Sequence, residues 1–272
     1  MRVGTDMARV LPRPVRRLVR PVALTGAAIG GYILSSPLRR TYRTDPPEVW
    51  AAAGLAAASG LWASRTRSGL DRLTTVVGAA AAPGFAYWYL HRYSRFDRPV
   101  DRLQVGEPFP DFTLSTSDGG TVSLDDVRGR RVVLLTYRGG WCPFCTTELL
   151  ELRDHYQEIL DRKVEVIAVS VDDPEQSEAM RRRVGLDITF ASDHDGTLLD
   201  ALGIADADGL VPGLAAAGFG GSDAVGSSVY LPTTVLLDDE GVVRWVHRAE
   251  NYRVRATPAD VVRAIDEVLP AP

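Results

Sequence analysis

Apolar and polar positions follow two different patterns along the 272-residue chain. In the first hundred residues the apolar positions form long blocks: PVALTGAAIGGYILSSPL (21–38), VWAAAGLAAASGLWAS (49–64) and LTTVVGAAAAPGFAYWYL (73–90). None contains an ionised side chain, and each is about the length that crosses roughly 30 Å of hydrocarbon, the middle one marginally. Their Gly and Ala content suits close-packed membrane helices, and Trp50, Trp62, Tyr87, Trp88 and Tyr89 stand at segment ends, where aromatic rings favour the interface. The pattern predicts a basic N-terminal region, residues 1–100, with two or three transmembrane helices. A soluble helical subdomain is the alternative. A cleaved signal peptide fits less well, because no small-x-small site precedes the later apolar blocks.

From residue 101 the pattern shortens. RVVLLTY (131–137), VEVIAVSV (164–171) and TTVLLD (233–238) read as buried strands, being continuously apolar rather than alternating. VVRWVHR (242–248) follows a DDEG turn and reads as a hairpin partner. TTELLELRDHYQEIL (146–160) places Leu149, Leu152, Tyr156 and Leu160 on one helical face. Thr257-Pro258 opens a last helix with an N-cap residue and a first-turn proline, ahead of an apolar stripe of Val261, Val262, Ile265 and Leu269. Strands alternating with helices imply an α/β domain over residues 101–272 with a mostly parallel central sheet. The Gly/Ala-rich stretch 205–229 fits no strand and reads as a long loop or loose helix.

Charge sharpens the division. Residues 1–100 carry 15 arginines and 5 acidic residues, whereas residues 101–272 carry 16 basic and 30 acidic ones, within an overall balance of −4. Neither half suits nucleic acid: apolar runs interrupt the basic half, and the acidic half would repel phosphate. The arginines before residue 21 argue for a cytoplasmic N-terminus. Arg39, Arg40 and Arg43, then Arg65, Arg67 and Arg72, then Arg92, Arg95 and Arg98 make every later loop basic as well. Two spans would leave the second domain cytoplasmic and three would put it outside, and the basic stretch 91–102 favours the cytoplasm. The expected location is therefore a multi-pass cell membrane, with the lipid bilayer as a partner.

Both cysteines of the chain lie in YRGGWCPFCTTE, residues 137–148. A strand ending at Tyr137, a Gly-Gly turn and a helix opening at Pro143 would put Cys142 at the helix N-cap. There the unpaired N–H groups and the helix dipole stabilise a thiolate. Cys145, one turn along, is near enough to close a small disulfide, so the spacing suits reversible two-electron chemistry. Zinc would need two more ligands, and His91, His155, His194 and His247 are scattered singly. An inert bridge over so short a loop would stabilise little. No metal, no cofactor and no nucleotide fingerprint is expected. Asp193, His194 and Asp195 form a cluster better suited to capping the helix near Gly196 than to binding metal.

VGEPFPDFTLSTSDGGTVSLDDVRGRRVVLLTYRGGWCPFCTTELLEL, VIAVSVDDPEQ, FASDHDGTLLDALGI and LPTTVLLDDEGVVR together resemble a redoxin, of the alkyl hydroperoxide reductase/thiol-specific antioxidant branch of the thioredoxin superfamily, from about Leu103 to Leu269. The resemblance implies a thioredoxin-like fold, a central mixed sheet flanked by helices, and a cis-proline at Pro232 facing the dithiol. It also holds two chemistries. The peroxidatic pattern P-x-x-x-[TS]-x-x-C, anchored on C-T-T-E, puts Cys145 at the peroxidatic cysteine, Cys142 at the Thr/Ser and Arg138 at the proline. The arginine expected before the later strand coincides with Pro232. The W-C-x-x-C pattern of thioredoxin-like oxidoreductases is present as Trp141-Cys142-Pro143-Phe144-Cys145 and makes Cys142 the attacking thiolate and Cys145 the resolving one.

The leading expectation is a membrane-anchored thiol–disulfide oxidoreductase, working with a protein or low-molecular-weight thiol reductant on a disulfide or peroxide. A thiol-dependent peroxidase with Cys145 or Cys142 peroxidatic is the second reading, and a non-catalytic interaction module the third. Arg138 reads as a lowering influence on a thiol, as a holder of an anionic substrate, or as an exposed turn arginine. Glu148 reads as a proton relay or a solvated helix position, and Trp141 as a partner contact or a core aromatic. NYRVR (251–255) resembles the family's C-terminal segment without a role that the residues indicate.

Overall fold

A computed structural model describes residues 12–39, 45–96, 102–210, 212–223 and 225–269. It divides into two compact units, Met1–Arg95 and Phe96–Pro272. Arg2, Arg9, Arg40, Arg43 and Arg98, on which part of the orientation argument rests, lie outside the described residues, as do the side chains of Arg13, Arg16, Arg17 and Arg39.

Each apolar block of the first unit falls in a helix: α1 (Arg13–Arg39), α2 (Pro47–Ser64) and α3 (Gly69–Trp88), the last continued by a π-helical turn, Tyr89–Tyr93. The three pack on one another. Small residues make this possible: a Cβ on Gly60 would lie 2.7 Å from the Cβ of Ala79, so α2 and α3 approach through a missing side chain. Thr25, Ser36, Ala53, Ala56, Ala79, Ala82 and Ala86 are buried, while Leu24, Leu34, Leu38, Leu55, Trp62 and Leu70 are exposed. The buried Thr25 and Ser36 hydroxyls donate to Pro21 O and Ile33 O of their own helix, which leaves neither hydroxyl bare. Among the described residues one segment, the 20-residue Val19–Leu38, is both long and apolar enough to cross a membrane. The two or three spans expected thus meet that measure in one helix only; the 18 residues of α2 include Pro47 and Glu48, whose polarity lowers the mean hydropathy of that helix.

The second unit begins with a hairpin, β1 (Thr113–Thr116) and β2 (Thr121–Ser123), and a short α4 (Leu124–Val127). A β–α–β–α–β run follows: β3 (Arg131–Thr136), α5 (Pro143–Leu160), β4 (Val164–Ser170), α6 (Pro174–Val184) and β5 (Thr189–Ser192). After α7 (Thr197–Leu202) come β6 (Ala205–Asp206), α8 (Pro212–Ala215), β7 (Val229–Tyr230), β8 (Thr233–Leu237), β9 (Val243–Arg248) and α9 (Pro258–Val268). The main sheet runs β2-β1-β5-β4-β3-β8-β9. Its β3, β4 and β5 are parallel, while β8 pairs antiparallel with β3, and β9 with β8. This is the mixed sheet that the resemblance implies, including the hairpin of the last two strands. It is not the mostly parallel one that alternating strands and helices suggest: β1 also pairs antiparallel with β2 and β5, so only β3–β4 and β4–β5 are parallel among the described residues, the antiparallel strands at both edges supplying the rest.

Val132, Leu134, Ile167, Val169, Val235 and Leu237 join Phe109, Phe112, Leu198, Leu199 and Leu202 in the core on one face of the sheet. Strand alternation sends Val133, Leu135, Val166 and Ala168 to the other face, and α5 packs on β4 and α9. On α5, Leu149, Leu152 and Ile159 are buried whereas Leu160 is 40% exposed, so the buried stripe ends one residue earlier than the sequence spacing predicts. The stretch 205–229 is not all loop, because β6 and β7 pair as a small separate ribbon, Ala205 opposite Tyr230 and Asp206 opposite Val229.

The Asp193 cluster settles as a cap. The fully buried Asp193 carboxylate accepts from Leu198 N (3.1 Å), Leu199 N (2.8 Å) and Tyr230 Oη (2.6 Å), tying α7 to β7. Asp193→Ala removes a helix cap and leaves the Tyr230 hydroxyl buried without an acceptor. The expected loss is about 2–4 kcal/mol, measurable as a lowered midpoint of denaturant unfolding with an unchanged slope.

Candidate active site

Parallel strands place their functional loops at their C-terminal ends, and here that loop joins β3 to α5. The strand's pairing extends to Tyr137, whose N–H donates to Val169 O at 2.9 Å. The chain then turns at Gly139, at φ 146°, where a Cβ would fall 2.6 Å from Trp141 Nε1 and 2.8 Å from Asp172 Oδ1. No larger residue fits this corner. Cys142 N donates to Gly139 O (3.1 Å), and Cys142 is the N-cap of α5 with Pro143 in its first turn.

The turn brings both thiols into the protein: Cys142 is 3% exposed and Cys145 0%, and both are free. Two donors approach Cys145 Sγ, the Arg138 backbone N–H at 3.4 Å and Arg255 Nη2 at 3.5 Å. Arg255 is itself 2% exposed; it bonds Glu148 Oε2 through Nη1 (3.0 Å) and Tyr252 O through Nη2 (2.8 Å). Burial alone would favour loss of its proton, but Cys145, Glu148 and Cys142 outweigh that and hold the guanidinium charged. Burial also opposes ionisation of Cys142. The Cys145 thiol donating to it, with the charges of Arg255 and Arg138, overcomes burial and brings it down to about 6. Burial and the neighbouring sulfur push Cys145 well up. One thiolate, favoured on Cys142, therefore shares the pair with one thiol. A thiol lowered in this way ionises ahead of an ordinary one, which at pH 7 is thiolate only to about a few per cent.

The predicted residues gather closely. Arg138 is buried rather than an exposed turn residue: it pairs with Asp206 Oδ2 (3.0 Å), donates to Gly209 O (2.7 Å), and lies 5.5 to 5.7 Å from the rings of Phe96, Trp141 and Tyr252. Trp141 is half-buried and packs against the core. Glu148 is buried and bound to Arg255, not solvated. Pro232 corrects an expectation, since no cis peptide bond occurs among the described residues and the Leu231–Pro232 bond is trans. The reason is local. Leu231 N–H donates to Ile204 O (2.8 Å) and Leu231 O accepts from Thr136 Oγ1 (2.9 Å), so an extended chain passes straight from β7 into β8. Pro232 is thus a proline leading into a strand, where its missing N–H interrupts no ladder.

Arg255 is the residue that sequence reasoning missed. It lies 110 positions from Cys145, in the NYRVR segment to which no role was attached, and only its place two residues before the capped start of α9 fixes it in space. Asp172, whose Oδ2 accepts from Gly140 N at 2.6 Å, was missed as well. An acidic residue beside a second one, Asp173, after a strand carries no local signal of a role.

Comparison with known proteins gives this arrangement a context. The model of the AhpC/TSA family matches residues 105–246. The chain belongs to the AhpC/TSA family. It is accordingly an enzyme, a thiol-dependent oxidoreductase with a thioredoxin-like fold. A putative peroxiredoxin of Mycobacterium tuberculosis is 30% identical over 158 residues, 57% of this chain and 89% of that protein. Peroxiredoxin Bcp of Escherichia coli is 32% identical over 105 residues, 39% of this chain and 67% of its own. The crystal structure of a cysteine-to-serine mutant of peroxiredoxin 6 from Arenicola marina shares the fold, at 20% identity and a TM-score of 0.50 over 60% of this chain and 72% of that one. The family match lies wholly within the second unit.

The electrostatics of this AhpC/TSA site predict that alkylation of the reduced protein by iodoacetamide rises with pH to half its maximal rate at about pH 6. Arg255→Gln removes a favourable charge, so the midpoint moves up by about one pH unit or more. A midpoint that stays in place would show that Arg255 does not hold the thiolate.

Proposed function

We propose that this protein is a membrane-anchored, thiol-dependent peroxidase in which Cys142 attacks and Cys145 resolves. The observation that carries this reading is the burial of both sulfurs beneath one guanidinium. A small hydroperoxide reaches a thiol 3% exposed, whereas the disulfide of a folded protein needs open surface. The Cys142 thiolate attacks the terminal peroxide oxygen, which breaks the O–O bond and leaves a sulfenic acid and an alkoxide or hydroxide that takes a proton from solvent and departs as alcohol or water. Loss of the negative charge on Cys142 removes one of the influences that raise Cys145, while Arg255 and the Arg138 N–H remain beside it. Cys145 then attacks the sulfenic sulfur, water leaves, and the Cys142–Cys145 disulfide closes. Its reduction is a thiol–disulfide exchange with a low-molecular-weight thiol, which enters at Cys142, the more exposed sulfur. The exchange chemistry of the W-C-x-x-C pattern becomes the reductive half of the cycle.

Anchoring in a lipid bilayer is supported by the first unit. Alongside Ile29, Tyr32, Val49 and Leu90 this unit buries Ala, Thr and Ser, and it turns Leu24, Leu34, Leu55 and Trp62 outward, as helices packed in lipid do. At 1.5 Å per residue the 20 residues of Val19–Leu38 extend about 30 Å, the thickness of the hydrocarbon core. On this reading α2 and α3 complete a small bundle around that helix.

Stopped-flow tryptophan fluorescence of the full chain in detergent micelles tests the chemistry. Hydrogen peroxide is expected to oxidise the reduced wild type rapidly. Cys142→Ser slows the reaction to the rate of an ordinary thiol, and Cys145→Ser stops it at a sulfenic acid trapped by dimedone. Fast oxidation surviving in Cys142→Ser and lost in Cys145→Ser would reverse the two roles. Rapid reaction with a protein disulfide and none with peroxide would restore the oxidoreductase reading. For the anchor, the expressed chain is expected to stay in the membrane pellet through an alkaline carbonate wash; release into the supernatant rules the anchor out.

A further inference from the structure

Which face of a membrane carries the dithiol depends on whether the helices before it cross an odd or an even number of times. α2 and α3 form a hairpin, recorded at both of its ends. At the turn Arg67 Nη1 donates to Thr75 Oγ1 (2.6 Å). At the open end His91 Nε2 pairs with Asp45 Oδ2 (3.0 Å), and the Tyr87 and Trp50 rings lie 4.9 and 6.4 Å from the His91 ring. Gly60 and Ala79 meet between the two ends. α1 packs on both helices, and its direction follows from two distances. It ends at Arg39, six residues before Asp45, a stretch that spans at most about 21 Å. Halfway along it, a Cβ on Gly26 would lie 3.7 Å from the Phe85 ring. If α1 ran antiparallel to α3 past that contact, Arg39 would stand about 28 Å from the level of His91 and Asp45, beyond that reach. α1 and α3 therefore run the same way, and α2 runs against them.

We infer that the chain crosses the bilayer an odd number of times and that the dithiol works on the face away from the cytoplasm. The inference rests on the lipid anchor proposed above. One end of the bundle carries the start of α1 at Arg13 and the α2–α3 turn. The other carries Arg39, Asp45 and the π-helical turn through Tyr93, after which the chain continues into the second unit. The parity does not depend on how deeply the hairpin enters the lipid, because a hairpin returns to the end from which it started. Two crossings would need α3 to stand apart from α1, on which it packs. Charge gives the direction. Six arginines precede residue 21, and Arg65, Arg67 and Arg72 stand at the same end, whereas only Arg39, Arg40 and Arg43 lie between α1 and α2. Arginine-rich flanks stay in the cytoplasm and the first helix usually sets the orientation, which outweighs the basic stretch 91–102. The second unit adds an independent argument. Residues 101–272 carry 16 basic and 30 acidic side chains, and the anionic surface of the cytoplasmic leaflet repels such a unit. The reductive half of the cycle then belongs to the same face. For each dithiol regained, two molecules of a low-molecular-weight thiol become one disulfide, so a reaction that returns thiol to that face has to accompany this one.

Maleimide labelling of the full chain in sealed bacterial spheroplasts tests the assignment. In a Cys142→Ser, Cys145→Ser background one new thiol is introduced at a time. Ser68→Cys lies exposed in the α2–α3 turn, where the serine makes no side-chain cap bond, and Glu240→Cys lies exposed in the β8–β9 turn. An impermeant maleimide is expected to label Glu240→Cys in sealed spheroplasts and Ser68→Cys only after the membrane is opened. Protection of Glu240→Cys in a chain that stays in the membrane pellet overturns the inference, and so does labelling of Ser68→Cys from outside. Alkaline phosphatase fused after Pro272 reads the same face without any substitution in the chain. An active fusion is expected, because the enzyme's disulfides close in an oxidising compartment, and an inactive one overturns the inference. Release of the chain by the carbonate wash overturns the anchor, and the side assignment with it, so the two failures are told apart.

Discussion

A positive charge with almost no access to water is the constraint around which the second unit is organised. The Arg255 guanidinium is 2% exposed, and a buried charge costs several kcal/mol unless its partners are close and well aimed. Glu148, Tyr252 O and Cys145 Sγ meet that condition. They come from the first turns of α5 and the turn ahead of α9, so these two helices must begin where they do. The side chains between them are fixed accordingly, with Phe144 packing its ring 5.6 Å from that of Tyr252. The cation would be a liability in a resting apolar core. Beside a thiol pair it has a compensating anion to hold.

The sheet supplies the rest of the geometry. β3 is central, with β4 parallel on one side and β8 antiparallel on the other. Its C-terminal end is therefore flanked by the exit of β4, which carries Asp172, and by the entry of β8, which carries Pro232. Backbone groups do much of the work at this corner: the Arg138 N–H on Cys145, the Gly140 N–H on Asp172 and the Cys142 N–H on Gly139 O. Such donors lose no side-chain entropy when they are ordered, and they keep the loop between strand and helix short.

What could be read from the sequence divides along physical lines. Continuous apolar runs gave β3, β4 and β8, and the pairing of Thr257 with a following Pro258 gave the start of α9, because these signals lie within one element. The dithiol at a helix N-terminus was legible for the same reason. The charges that set its chemistry were not. Arg255 and Asp172 reach the site only through the folding of a sheet, and neither is marked by its neighbours in the chain. β6 and β7 were hidden differently: each has only two residues, too few to show any period, and they exist because they pair with each other. In the first unit the apolar blocks were plain, but which side of each helix faces outward appears only once the helices are packed.

One departure from the peroxidatic pattern takes on a meaning that the side chain alone does not suggest. Arg138 occupies the position where that pattern has proline. Proline has no N–H, and the bond from this residue to Cys145 Sγ, 3.4 Å long, is made by the backbone. Any of the other nineteen residues could supply it. The guanidinium, meanwhile, is occupied with Asp206 and Gly209 on the neighbouring segment. A residue other than proline here therefore serves two separable ends: its main chain donates to the sulfur whatever the side chain, and its side chain holds the segment after α7.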